Sequence, residues 1–287
     1  MTRGIIMYHT GRKLAVRLAV ALHTLRKYYS GPVTLLSEGK QSWAICEPLA
    51  EKYFIDLENV EFPTHKTRGT VFVNATLVGN YTPYDVTVWL DVDTLTQGDF
   101  WNPMWWAAEE SDFAVCQISN WLTGGKISKR IRAWEAFYPE WIEGAINGGK
   151  SPAINCGLFS FARKAKLMRK WYKIVKPVLS DNRGVSMRYP DESCCQLILH
   201  RYKHKIMDQR HNYSCKYGIG DAEDATMVHY HGSKHCRIKL DPRGCPLYEH
   251  NSMLWYNAFD EIRDTIPSEW IQWDHQLKQN LGKHDAG

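Results

Sequence analysis

Val86-Thr87-Val88-Trp89-Leu90-Asp91-Val92-Asp93-Thr94 is the stretch on which the fold turns. A β-branched, apolar run predicts a buried strand over residues 86–90. It ends in two acids one residue apart. If the strand continues, side-chain alternation sends Asp91 and Asp93 out of the same face at its C-terminal end. In an open α/β sheet that edge is where ligands bind. Two carboxylates there suit a hard divalent cation that keeps positions open for phosphate oxygens. A bare acid-x-acid triplet also fits a solvated strand end or a helix cap, so its companions carry the weight.

Outward from this strand the pattern alternates. Residues 4–8 predict a first strand, followed by the loop His9-Thr10-Gly11-Arg12. Leu14, Leu18, Ala21, Leu22 and Leu25 give helical spacing over 13–29, and Gly31-Pro32 ends it. Residues 33–36 and 54–57 predict strands around a helix at 43–53, and 66–77 a helix or mixed segment. Downstream come a strand at 113–117, a variable segment at 119–150 and a strand at 155–162. A basic amphipathic helix follows at 164–179, then a helix at 191–202 and a strand at 226–230. A Trp-rich tail has helical character at 253–263. Alternating strands and helices predict an α/β fold: a Rossmann-like, mostly parallel central sheet flanked by helices. Residues 1–240 read as one α/β domain, with 241–287 a helical extension packing on it.

The 287 residues suffice for a sizeable core, and 44% apolar with 23% charged residues is ordinary for a globular protein. The N-terminus is too short and polar for a signal peptide, and no apolar run is long enough to span a bilayer. A cytoplasmic protein is the expectation. Eight cysteines without a CxxC pair read as buried free thiols. A net charge of +5 fits an acidic partner without selecting one. Twelve tryptophans build either core or a stacking surface.

Four more groups carry chemistry. In Asn155-Cys156-Gly157 the glycine permits close backbone approach, and the Asn155 amide both donates and accepts, as sugar hydroxyls require; an ordinary strand entry looks the same. Asp191 and Glu192 head a helix, where acids serve as dipole partners or as a base, nucleophile or electrostatic stabiliser. In His229-Tyr230-His231-Gly232-Ser233-Lys234-His235, His229 and His231 share a strand face, one imidazole completing a metal site with the aspartates. Lys234 there faces a leaving diphosphate. A zinc site from His229, His231, His235 and Cys236 with Cys215 or Cys245 is the rival, though zinc-finger spacing is missing. Lys66 and Arg68 form a basic pair before the central strand, placed for a diphosphate or simply solvated.

In this order the pieces resemble the GT-A nucleotide-sugar glycosyltransferases, closest to the glycogenin-like and lipopolysaccharide galactosyltransferase-like enzymes of family 8. The likeness covers about residues 4–235. It implies Mn²⁺ or Mg²⁺ and a nucleotide-sugar donor, most often a UDP-hexose. It implies that Asp91 contacts ribose and metal, that Asp93 and His229 bind the metal, and that Tyr8 and Thr10 line the nucleotide pocket. Arg68 and Lys234 then meet the diphosphate or the donor sugar, and Asn155 and Asp191 hold the sugar. Two departures stand out. Lys234 comes one residue early after the late glycine, and Glu192 occupies the place of the family's usual glutamine. The implied reaction is hexosyl transfer to an acceptor hydroxyl on a glycan, protein, lipid or modified DNA, either with retention or with inversion, for which Asp191 or Glu192 would deprotonate the acceptor. Rivals are a transferase acting on hydroxymethylated DNA bases, a non-catalytic binding module with this fold, and a nucleotidyltransferase. The DNA reading draws on the basic segments 126–132 and 163–176 and on Trp101, Trp105, Trp106, Trp121 and Trp134. The nucleotidyltransferase usually carries a Gly-rich loop where His9-Thr10-Gly11-Arg12 stands.

Overall fold

A computed structural model describes residues 1–63, 73–118, 130–147, 152–179, 190–215, 217–218, 220–231, 238–240, 246–248 and 250–274. Seven strands form the main sheet, in the order β3-β2-β1-β4-β7-β6-β8. They are β1 (Arg3–Thr10), β2 (Val33–Glu38), β3 (Asp56–Asn59), β4 (Val86–Leu90), β6 (Phe113–Gln117), β7 (Ile154–Ala162) and β8 (Lys205–Met207). The β1–β4, β2–β3 and β6–β8 pairs are parallel, whereas β7 runs antiparallel to both β4 and β6. The α/β fold with a mostly parallel sheet is therefore present. A second sheet joins β5 (Thr94–Thr96), β10 (Met227–His229) and β9 (Tyr213–Ser214).

The chain groups into two compact units. The first comprises Met1–Ile6, Glu61–Leu90 and Phe100–Asn212. Its centre is β7, all nine residues of which are buried. Alternation divides them between two faces. Phe159 stacks on Trp89 at 5.9 Å and on Phe113 at 5.7 Å, and meets Trp171 edge-on at 5.4 Å. Trp171 belongs to the helix Lys166–Leu179, whose Leu167, Met168, Ile174, Val175, Val178 and Leu179 are also buried. On the other face the Ser160 hydroxyl donates to the Met104 carbonyl at 2.6 Å, in the helix Trp101–Ser111. A strand covered on both sides needs apolar residues at both parities, which is why the periodicity of β7 is flat.

The second unit comprises Met7–Val60, Asp91–Asp99 and Tyr213–Gly287. The helices α1 (Ala15–Tyr28) and α2 (Lys40–Tyr53) lie here. The helices His250–Asp260 and Ser268–Trp273 pack on α1. Trp255, Tyr256, Phe259 and Trp270 are buried, so these four aromatics of the tail are core, while Trp273 is half-buried. Arg17 and Asp274 form a buried pair at 2.7 Å, each side chain 6% exposed.

The structure corrects one sequence expectation at the decisive stretch. The β4 strand ends at Leu90, and Asp91-Val92-Asp93 is a turn leading directly into β5. The two acids do not share a strand face. Six cysteines are free: Cys46, Cys116, Cys156, Cys194 and Cys195 are buried and Cys215 half-buried, while Cys236 and Cys245 lie outside the described residues.

Removing the carboxylate from Asp274 strands a guanidinium in the interior. Asp274→Ala is expected to cost about 3–5 kcal/mol of stability, read as a shift of the urea-unfolding midpoint. A midpoint within error of wild type would show that the pair contributes nothing.

Candidate active site

Short-range geometry after β4 is set by the second sheet. The Thr94 hydroxyl donates to the Asp91 carbonyl at 2.8 Å and closes the turn. The Thr96 amide donates to the Thr24 hydroxyl of α1 at 3.2 Å, which pins β5. Antiparallel pairing then sets His229 opposite Thr94, and the Tyr230 amide donates to the Asp93 carbonyl at 3.0 Å. His229 Nε2 thereby lies 3.2 Å from Asp93 Oδ1 and 3.7 Å from Asp91 Oδ2. One ligand atom from each of the three lies within 4.8 Å of the others. His229 is 4% exposed, Asp93 14% and Asp91 37%, so the cluster opens on one side. Two carboxylate oxygens and one imidazole nitrogen match the donors Mn²⁺ and Mg²⁺ accept, with room for further oxygens. No thiol joins this set among the described residues, and His235, Cys236 and Cys245 of the zinc alternative lie outside them.

Behind the cluster His231 adopts a left-handed backbone, φ 50°. The ring stacks on His229 with centroids 4.1 Å apart and planes at 24°. Its Nε2 sits 2.7 Å from Ser214 Oγ, and Ser214 pairs with His229 across the β9–β10 ladder. Sequence reading put both histidines on one strand face. Instead β10 stops at His229, and the chain folds the second ring against the first. The stack and the Ser214 contact fix how His229 presents its nitrogen. Nothing local in the sequence singles out Ser214.

At the end of β1, Tyr8 donates its hydroxyl to Glu38, and Thr10 is half-buried. Between them His9 is 1% exposed. Ser42 Oγ donates to the His9 carbonyl at 2.8 Å and receives the Ser37 hydroxyl at 2.8 Å. That leaves His9 Nδ1 to donate to Ser42 Oγ at 2.8 Å, so the proton is assigned to Nδ1 and Nε2 is a bare acceptor. Burial pushes the His9 pKa down to about 4.

In the other unit, Pro190 opens the helix Pro190–Ile198, with Asp191 and Glu192 in its first turn. Both acids are buried, at 7% and 9% exposure. Glu192 pairs with Arg130 and accepts from Asn155 Nδ2 at 2.8 Å and the Cys156 amide at 3.1 Å. Asn155 Oδ1 in turn accepts from the Gly157 amide at 3.0 Å and from Asn212 Nδ2 at 2.8 Å. The Asp191 carbonyl accepts from Trp171 Nε1 at 3.0 Å. The sequence motif thus folds into a braced polar network. Arg130 was legible only as part of a basic segment, and Asn212 not at all.

Lys66, Arg68 and Lys234, with Trp121, Gly232, Ser233, His235 and Cys236, lie outside the described residues. The stacking surface expected for a DNA reading is corrected. Trp101, Trp105 and Trp134 are buried, and of those described only Trp106, at 59%, is exposed. They fill the interior because a tryptophan removes more apolar area from water there than on a surface.

No protein-family model matches the sequence, and no curated protein does either. Solved structures do match. The chain is similar to galactosyltransferase LgtC, determined with donor and acceptor sugar analogs: TM-score 0.64, 14% identity, over 94% of this chain and 99% of that one. It is similar to mouse xyloside xylosyltransferase 1, with TM-score 0.54, 10% identity and coverage of 80% and 98%. It is also similar to the glycosyltransferase GlyE of Streptococcus pneumoniae TIGR4, with TM-score 0.58, 12% identity and coverage of 99% and 64%. These neighbours are glycosyltransferases of the GT-A type, and the chain shares their fold.

Two outcomes follow from the geometry. Saturating Mn²⁺ is expected to raise the thermal midpoint of the wild type, by the equivalent of about 2.7 kcal/mol at a hundred times Kd. Asp93→Ala should abolish that rise. His231→Ala should weaken Mn²⁺ affinity about 10–100-fold, measured by electron paramagnetic resonance, without removing the three ligands. Unchanged affinity would show that the ring stack does not position His229.

His9 sets an acid limit. Unfolded, its imidazole titrates near 6.5; folded, near 4. As pH falls the unfolded chain takes the proton first. Stability is therefore full above about 6.5 and lost progressively down to about 4, by up to about 3 kcal/mol. Urea unfolding between pH 7 and 4 should show a shallower decline in His9→Gln, and equal slopes would count against the assignment.

Proposed function

We propose that the protein is a metal-dependent glycosyltransferase that moves a hexose from a nucleotide sugar, in the first instance a UDP-sugar, to an acceptor hydroxyl. One observation carries the reading. Asp91, Asp93 and His229 converge within 4.8 Å just beyond the central strand of a fold shared with glycosyltransferases. Two carboxylates and an imidazole fit Mn²⁺ or Mg²⁺. When bound, the cation supplies positive charge for the two phosphates of the donor.

The chain's own residues divide the remaining work. Asp91 also meets the ribose, and Tyr8 and Thr10 line the nucleotide pocket. Lys66, Arg68 and Lys234 are assigned to the diphosphate, where a cation stabilises the charge that grows as the anomeric C–O bond breaks. Asn155 and Asp191 are assigned to the sugar. The acceptor oxygen forms the new bond to the anomeric carbon, and in the retaining course a leaving phosphate oxygen takes its proton. Glu192 acts in this scheme by bracing the Asn155 amide, since Arg130, Asn155 and the Cys156 amide already engage its carboxylate.

The test is slow donor hydrolysis across a panel of nucleotide sugars, with Mn²⁺ and with EDTA, on wild type and Asp93→Ala. Release of one nucleoside diphosphate that requires both metal and Asp93 is the expected result. A panel on which no donor binds or turns over with metal would overturn the catalytic assignment and leave only the fold.

A further inference from the structure

The protein's positive charge is unevenly placed. Across the chain 36 lysines and arginines face 31 aspartates and glutamates. Seven of those cations, Arg163, Lys164, Lys166, Arg169, Lys170, Lys173 and Lys176, fall in residues 163–179, which hold no acid. Outside that segment acids outnumber bases. The basic character of the molecule is thus the property of one element, the helix Lys166–Leu179.

All seven cations are exposed, while every apolar side chain of the helix is buried except that of the exposed Pro177 and of the half-buried Tyr172. Arg163 and Lys164 have acids at 3.9 Å and 3.8 Å, Asp85 and Asp112. Lys166, Arg169, Lys170 and Lys173 have no anionic partner among the described residues. Their spacing, i, i+3, i+4, i+7, sets them in one row along a single helix face. Lys176 extends the row by another turn, so that the row spans about 15 Å at 1.5 Å per residue. Four like charges side by side cost free energy in the isolated protein, and an anionic surface removes that cost.

We propose that this row docks the protein on an anionic lipid bilayer. The chemistry favours a bilayer over a nucleic acid. Trp171, the aromatic of this helix best suited to stacking, is 0% exposed, so the face offers no large aromatic platform for unpaired bases. A straight row of long, flexible cationic side chains along one helix face matches a plane of lipid phosphates. With its hydrophobic side committed to the core, the helix adheres by charge and does not insert. Among the described residues no helix is long and apolar enough to cross a membrane. The inference rests on the surface alone and is independent of the donor chemistry.

The experiment is co-sedimentation of the full chain with vesicles of phosphatidylcholine alone and of phosphatidylcholine with 30% phosphatidylglycerol. Binding is expected only to the anionic vesicles, and it should weaken as salt rises from 50 to 300 mM. The variant Lys166→Gln, Arg169→Gln, Lys170→Gln, Lys173→Gln should bind on the order of a hundredfold or more weakly. The variant Lys166→Arg, Lys170→Arg, Lys173→Arg, which keeps every charge, should bind like wild type. Equal thermal midpoints for all three proteins would exclude misfolding as the cause. No binding to anionic vesicles, or binding that survives loss of the four charges, would overturn the proposal. So would salt-sensitive binding to duplex DNA that anionic vesicles do not compete.

Discussion

The three-residue ladder between Thr94–Thr96 and Met227–His229 is the constraint on which the proposed chemistry depends. It is short, and two strands of this length would not persist alone. The ladder holds because its partners are fixed elsewhere: β5 by the Thr24 hydroxyl, β10 by its second neighbour β9. Residues remote in sequence meet with ångström tolerance, and a metal site demands that tolerance. A slip of one residue would turn His229 away from the carboxylates, because side chains alternate along β10.

The same ladder explains why the cluster tolerates a turn at Asp91-Val92-Asp93. Had the acids stayed on a strand, about 7 Å would separate their Cα atoms, two residues at about 3.4 Å each. The turn, closed by Thr94, lets the backbone curl so that both carboxylates face one imidazole. His231 completes the arrangement from behind. A residue with positive φ stores modest strain, and here that strain is balanced by a ring stack and a hydrogen bond to Ser214.

The fold was largely legible because hydrophobic periodicity reports local environment. Helix spacing at Leu14, Leu18, Leu22 and Leu25 and the apolar strand at 86–90 follow from which faces are buried, and that is a property of neighbours in sequence. The acid–acid–histidine cluster was legible in its residues but not in its geometry. Asp91, Asp93 and His229 stood out by type and order, yet the face they share is made by β5–β10 pairing, which no local pattern encodes. Ser214, Arg130 and Asn212 matter only through tertiary contacts. The tryptophans misled in the opposite direction. Trp101, Trp105 and Trp134 look like a stacking surface in composition, but their burial is decided by packing.

Glu192 shows how a departure from a family pattern can be read physically. A carboxylate that is 9% exposed is costly unless its charge is met. Arg130 meets it, and two further donors, Asn155 Nδ2 and the Cys156 amide, complete the shell. Burial is the largest single influence and works against the Arg130 charge, but the charge and hydrogen bond of Glu192, with Cys156 and Asp191, together outweigh it and raise the guanidinium pKa. Arg130 therefore keeps its charge beside Glu192. A glutamine at this position could accept the same hydrogen bonds from Asn155 and Cys156 but would leave the guanidinium without its counter-charge. Glutamate and Arg130 thus belong together as a unit. Where a lone Glu192 in the sequence invites the role of nucleophile, its contacts also make it a brace on the Asn155 amide.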